Sequence, residues 1–515
     1  MKVREYHATV WSEPIIHELS NAGERGFIPS NAEEKIVKTV GEADGLIPES
    51  MRRRAEPGLP ELSQPQVLRH YLRLSQMTLG MELDIDVGVG TCTMKYSPKV
   101  NEAFAAMTAN MHPDQPEDTM QGLLEILYEF GEVFLKEISG MDAFSFQPPG
   151  GSAGAYNNAV MMRKYHQFNG EPWRDEVITT IFSHPCDAAC PATAGYKVLT
   201  LYPDPETGLP DTEALKAAIS RRTAGCFITN PEDTGIFNKK IDEWTGIIHE
   251  AGGLCSYDQA NANALLGVTR AREADFDMCF FNLHKTFSSP HGSSGPGSAA
   301  IGVTKELADY LPTPVVVKHG GVYKLDYDRP KSIGRVRDFL GNVQAVIRSY
   351  AWCMAMGASG LREVADASML NNQYLVEKVK KIRGVTLPFG GRRLDQARWS
   401  LEKMYNETGV GINDVNRRVI DYGVQSYFTS HHPWLVPEPF TPEPCETYSK
   451  ADIDYWVSVL EKVSEETYTD PELVKSAPHR SSNHKILTYP FDDPEKWAMS
   501  WRAYKKKRAS DEEIK

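Results

Sequence analysis

From Asn101 onward the apolar positions follow two periods. The stretch "MQGLLEILYEFGEVFLKEISG" (120–140) repeats apolar residues at helical spacing and stops at Gly140, a natural helix C-terminal glycine. After it come the short β-rich runs "DEVITTIFSH", "YKVLTLYP", "GCFITNP", "LCSYD" and "MCFFN", separated by helical patterns such as "DTEALKAAISRR" and "NKKIDEWTGIIHEAGG". Strands alternating with helices in this way predict βαβ units and a mostly parallel sheet. The long pattern over 342–382 predicts one helix or two leaving that sheet, and "GVTLPF", "VQSYFTS" and "KADIDYWVSVLEKVSEET" suit a smaller α+β domain. The first ninety or so residues are polar and broken by prolines, with one helical pattern in "QVLRHYLRLSQMTLG", and read as an arm lying over another surface. The predicted organisation is therefore an N-terminal arm and helix (1–90), a large α/β domain (91–340) and a small C-terminal α+β domain (341–515).

Composition narrows the partners. A chain of 515 residues exceeds what one hydrophobic core usually serves, which agrees with several packed units. A formal charge of -13, with 69 acidic against 56 basic side chains, repels phosphate backbones and anionic lipid, so small molecules and proteins are the expected partners. No run approaches the ~20 apolar residues that span a bilayer, and "MKVREYHATVWSEPIIHELS" has no leader-like apolar core, so a cytoplasmic protein is expected. Eight scattered cysteines make no disulfide framework, and Cys226, Cys255 and Cys279 in apolar runs suit reduced, buried thiols.

Candidate chemistry centres on "CFFNLHKTFSSPHGSSGPGSAAIGV" (279–303), where Lys285 stands between a strand-like run and a glycine- and serine-rich segment. Ligands in open α/β sheets sit beyond the carboxyl ends of the strands. Asp258 ends the strand "LCSYD" and Lys285 follows the next one, so both can face one crevice. A lysine amine able to form a Schiff base and a carboxylate able to pair with a protonated pyridine are what pyridoxal phosphate requires. The glycine-rich turn and helical pattern "FQPPGGSAGAYNNAVMMRKYH" would supply free amides and a helix dipole to the cofactor phosphate.

These segments carry a resemblance. "NLHKTFSSPHGSSGPGS" is similar to the cofactor-lysine segment of the glycine decarboxylase P-protein family, the pyridoxal-phosphate component of the glycine cleavage system, and "HEAGGLCSYDQANANALLG" resembles its aspartate segment. "GTCTMKYSPKVNE", "HPDQPEDTMQGLLEILYEFGEVFLKEISGMDA" and "DPELVKSAPH" resemble the family as well, so the likeness runs from about Pro57 to His479, and the length is that of the second subunit of split forms. The resemblance implies an α/β fold type I enzyme with a mostly parallel, seven-stranded-type sheet. It implies that Lys285 holds the cofactor, Asp258 binds the pyridine nitrogen, Ala260 packs beneath the ring and His184 stacks on it. Ser152, Ala153 and Gly154 would lie at the phosphate turn, Thr229 and His284 would add polar contacts, and Cys92 and Thr93 would lie toward the substrate. The implied reaction forms an external aldimine with glycine or a related small amino acid, releases carbon dioxide and passes an aminomethyl group to a lipoylated H-protein. Implied partners are further copies of the chain or a homologous first subunit.

Departures from the family pattern leave two other readings. Where the family reads "QPAAGAHGE" this chain reads "QPPGGSAGA", so Ala153 and Ala155 replace polar and acidic side chains. Cys186, Asp187 and Cys190 occupy threonine, asparagine and serine positions of the "SAHGTNPAS"-like stretch. A less polar, roomier pocket is expected, with weak glycine decarboxylation and a better response to a bulkier amino acid. One alternative is thus a decarboxylase, aldolase or transaminase that uses no lipoyl carrier; the other is a non-catalytic partner subunit, against which Lys285 and Asp258 both argue. Zinc held by His184, Cys186 and Cys190 is the rival site chemistry; three ligands without a second Cys-x-x-Cys pair predict no metal.

Overall fold

The structure, a computed structural model, describes residues 2–27, 30–41, 43–55, 57–80, 83–85, 87–88, 95–290, 297–425 and 429–485. The chain divides into two compact units. The first holds Met1–Val3, Ile85–Val419 and Val424–Ser476; the second holds Arg4–Asp84, Ile420–Gly423 and Ala477–Lys515.

The first unit is built on a seven-stranded sheet: β1 (Ala143–Ser145), β2 (Glu176–Thr180), β3 (Lys197–Leu201), β4 (Thr223–Thr229), β5 (Leu254–Asp258), β6 (Met278–Asn282) and β7 (Ala299–Val303). Their order is β1-β7-β6-β5-β4-β2-β3; β2 to β6 run parallel, while β7 is antiparallel to both its neighbours. The sheet is the mostly parallel one expected. Each predicted strand run falls within or across one of these strands, because continuous Val, Ile, Phe and Cys runs suit strands covered on both faces.

Successive residues feed the two faces alternately. Phe281, Tyr257 and Cys226 join one core with Trp244 and Ile248 of the helix Ile241–Glu250 and Trp352 of the helix Val343–Val379. Phe280 and Phe227 join the other, with Ala155, Ala159 and Met162 of the helix Gly151–Phe168. With Cys186–Thr193 these helices are labelled α1 (Gly151–Phe168), α2 (Cys186–Thr193), α3 (Ile241–Glu250) and α4 (Val343–Val379). Two expectations sharpen. The pattern over 342–382 becomes two helical stretches joined at Gly357, whose φ of 63° and ψ of -179° break the helix. The pattern before Gly140 is helical from Gln121, but Phe130–Leu135 takes a π-helical turn, which periodicity does not reveal. Gly140 ends it in the left-handed conformation, φ 74°, as its position suggests.

In the second unit the helix Gln64–Gln76 buries His70 against Glu13, which also meets Arg73, and leaves Leu68, Tyr71 and Leu72 exposed. No helix among the described residues is long and apolar enough to cross a membrane.

Candidate active site

The parallel register brings Thr229 and Asp258 side by side at the carboxyl ends of β4 and β5, with Phe280 of β6 next to Asp258 two residues before that strand ends. A cavity of about 330 Å³ opens there, lined by Lys285, Asp258, His184, Cys186, Ala260, Phe280, Asn282 and His284, with the turn Pro149–Ala153 and Gly297. Seven of the residues assigned from sequence to the cofactor site thus share one cavity: Lys285, Asp258, His184, Ala260, Ser152, Ala153 and His284.

The turn before α1 explains its glycines. A Cβ on Gly151 would lie 2.7 Å from Asn282 Nδ2, so glycine lets α1 begin against the end of β6 without displacing the Asn282 side chain. The first turn of this helix carries amides with no intrahelical acceptor, and residues 151–153 line the cavity. Gly154 does not line it: it faces the sheet, where a Cβ would approach Phe280 Cβ to 3.2 Å. Ala155 is fully buried in the core shared with Phe280, so of the two alanine departures only Ala153 faces the cavity. The roomier pocket read from the sequence therefore rests on one methyl group and not on two.

Asp258 accepts from the Ala260 amide at 2.8 Å and from the Cys186 thiol at 3.8 Å. Burial lifts its carboxyl to about 6, against the pull of the Ala260 amide and the Lys285 charge. Burial, then the Lys285 charge, brings His184 down to about 4, so its ring is neutral at neutral pH. His184 Nδ1 accepts from the Cys186 amide at 3.1 Å, which fixes the ring with its other nitrogen protonated.

Thr229 stands one step back. Its hydroxyl donates to Asp187 Oδ2 at 3.0 Å and accepts from the His184 amide at 3.2 Å, so it fixes the histidine loop and does not line the cavity. Burial, reinforced by the Asp258 charge, pushes the Asp187 carboxyl well above the usual carboxylate range. Beside His184, its ring centroid 5.8 Å away, lies His431, which contacts Asp233; Asp233 pairs with the buried Arg398 at 3.0 Å. Burial raises the Asp233 carboxyl, yet His431 and Arg398 outweigh it and hold the group well below its ordinary range. Cys92 and Thr93 lie outside the described residues.

Asn282 and Phe280 are lining residues to which sequence reasoning attached no role, and Cys186, considered there only as a family departure and a zinc ligand, lines the cavity beside Asp258. The signal for Asn282 was present, since it is the last residue of the strand that delivers Lys285. The zinc trio of the sequence reading does not form around Cys190, whose thiol donates to the Ser152 carbonyl at 3.1 Å. His184, Cys186 and Asp258 do offer ligand atoms within 4.8 Å of one another, but the charge of Lys285 acts on both His184 and Asp258 and disfavours a cation among them. A neutral imidazole, a carboxylate, a lysine and a helix N-terminus around one cavity fit an aromatic, phosphorylated aldehyde.

No family model matches the chain. It is 43% identical over 502 residues to the "Probable glycine dehydrogenase (decarboxylating) subunit 2" of Pyrococcus furiosus, covering 96% of this chain and 97% of that one. A chain of the same description from Caldanaerobacter subterraneus is 40% identical over 480 residues, 92% of this chain and 96% of its own. Among solved structures, a glycine decarboxylase (P-protein) of the glycine cleavage system, in inhibitor-bound form, superposes with a TM-score of 0.70 at 18% identity, over 85% of this chain and 99% of that one. A sphingosine-1-phosphate lyase from Burkholderia pseudomallei gives 0.58 at 14% identity, over 82% and 94%. The two structures share the fold, and identity near 40% over nearly the whole of both sequences settles the family: the chain belongs to the glycine dehydrogenase (decarboxylating) subunit 2 family.

Proposed function

We propose that the protein is a pyridoxal-phosphate enzyme of the P-protein type, which removes carbon dioxide from glycine and passes the remaining aminomethyl group to a lipoylated carrier protein. The observation that carries this reading is the meeting of Lys285 and Asp258 in one cavity with the amino end of α1. Lys285 would hold the cofactor covalently, Asp258 would pair with the pyridine nitrogen, and the amides at Gly151–Ala153 would take the phosphate. His184, neutral and fixed through Nδ1, would stack on the ring, and Ala260 leaves room beneath it. Pyridoxal phosphate, when bound, supplies the electron sink for the carbon–carboxylate bond that breaks. The walls of this chain would orient that bond and keep water from it. The relatives are named as subunit 2, which supports a first subunit as a partner.

The test has two parts. Purified protein should show a visible cofactor band, and borohydride reduction should fix the added mass on the peptide that contains Lys285. Glycine should then exchange its carboxyl carbon with labelled bicarbonate when a lipoylated carrier is present. A cofactor attached elsewhere overturns the site; an attached cofactor with exchange only for a larger amino acid overturns glycine and favours the reading suggested by Ala153.

A further inference from the structure

We propose that His249, Cys255 and Asp277 form a binding site for one thiophilic divalent cation, of the zinc, cobalt(II) or cadmium class, at the amino ends of β5 and β6. This site is at the opposite end of those strands from the cavity: Cys255 is the second residue of β5 and Asp258 its last, about 10 Å apart at ~3.3 Å per residue. The inference does not depend on the proposed function.

Three elements converge here. His249 lies in the last turn of α3, Cys255 in β5, and Asp277 immediately before β6. One ligand atom from each lies within 4.8 Å of the others, and His249 Nε2 is 2.8 Å from Asp277 Oδ2. Asp277 is fixed by its backbone, since its amide donates to the Cys255 carbonyl at 3.0 Å and its carbonyl accepts from the Thr304 amide at 2.9 Å. The Cys255 amide donates to Asp277 Oδ2 at 2.7 Å, which sets the carboxylate beside the thiol. To reach the ~3.3–3.8 Å ligand spacing of a tetrahedral zinc centre, the 2.8 Å contact of His249 with Asp277 opens by roughly 0.5–1 Å while any spacing near the 4.8 Å limit closes by about 1 Å, shifts within reach of the His249 side chain.

The donor chemistry selects the ion. Imidazole, thiolate and carboxylate together suit borderline-soft cations and not magnesium or calcium, which take oxygen ligands. The His249 and Asp277 side chains are 31% and 17% exposed, so an ion and a fourth, water ligand can enter from solvent, while Cys255 closes the site from the core side. The charged groups around it are Asp275 and Arg272, and the Arg272 guanidinium is engaged by Asp275 at 3.2 Å and by the Phe276 carbonyl at 3.4 Å. Binding releases the thiol proton and the proton shared by His249 and Asp277 to solvent, and forms one metal–sulfur, one metal–nitrogen and one metal–oxygen bond. No electron is transferred.

Cobalt(II) titration of the full-length reduced protein tests the site. One equivalent should give a sulfur-to-cobalt charge-transfer band with intense visible bands of a four-coordinate ion, displaced by zinc. Cys186→Ser should keep these bands, which separates the site from the cavity thiol, and Cys255→Ser should abolish the charge-transfer band. Loss of even an outer partner of a metal ligand costs ~10–100-fold in affinity, so His249→Gln should weaken binding by more than ~100-fold. Zinc should raise the melting temperature of the unmodified protein and not that of His249→Gln. Absence of the band in the unmodified protein overturns the proposal, as does its survival in Cys255→Ser. Should Cys255→Ser not fold, unchanged affinity in His249→Gln overturns it equally, leaving His249 and Asp277 as a plain ion pair.

Discussion

The Cys186 thiol lies 3.8 Å from Asp258 Oδ2 and is its side-chain donor, joining residues 72 positions apart across two strand crossings. Sulfur is a weak donor, so the contact orients the carboxylate more than it stabilises it. The other oxygen of Asp258 is held by the stronger Ala260 amide. The two partners are therefore expected to differ sharply in consequence. Asp258→Asn should lower glycine turnover by at least ~10²-fold, the scale of losing a charge-stabilising group in a dry site. Cys186→Ala should cost less than ~10-fold, the worth of one neutral hydrogen bond. Steady-state rates of both variants decide this; near-normal turnover in Asp258→Asn would mean that another residue serves the ring nitrogen.

Lys285→Ala should remove the borohydride-fixed cofactor and all turnover while far-UV circular dichroism stays unchanged. The reason is that the role assigned to Lys285 is covalent, and its side chain borders the cavity and not the core. A fixed label that persists in this variant would place the attachment on a different lysine.

Ala153 and Ala155 should respond oppositely to larger polar side chains. Ala155→Glu forces a carboxylate into a fully buried apolar core and should destabilise by ~2–5 kcal/mol or more, seen as a large drop in melting temperature. Ala153→His faces the cavity, so stability should move by no more than ~0.5 kcal/mol while kcat/KM for glycine changes. Equal melting of Ala155→Glu and the unmodified chain would contradict the burial of Ala155.

Glu232 provides a pH signature. Burial raises its carboxyl to about 8; Thr180 donates to one oxygen, and the other has no hydrogen-bond partner among the described residues. The unfolded chain loses this proton near the ordinary value of 4.5 while the folded chain keeps it to about 8, so between these values the folded state binds more protons. Stability from this group therefore falls as pH rises across that window, with a limiting slope of ~1.4 kcal/mol per pH unit, and is flat outside it. Glu232→Gln should remove the slope, so thermal unfolding from pH 5 to 8 should show the unmodified protein losing ground to the variant. Parallel profiles would show that Glu232 is ionised in the folded protein.

The parallel sheet and the pairing of Asp258 with Lys285 were legible in the sequence because both follow from local rules. A strand covered on both faces must be apolar throughout, and consecutive parallel strands present their carboxyl ends, with the loops that follow, to one crevice. Hence "LCSYD" and "MCFFNLHK" bring their polar ends together by local pattern alone. What each neighbouring side chain faces was decided only by tertiary structure. Ala153 and Ala155 stand two residues apart in α1, about 200° around a helix of 3.6 residues per turn, so one looks into the cavity and the other into the core. That phase is set by where α1 starts against Asn282, a residue distant in sequence. The contacts of Cys186 with Asp258 and of Thr229 with Asp187, and the convergence of His249, Cys255 and Asp277, likewise depend on strand order and register, which no local spacing encodes.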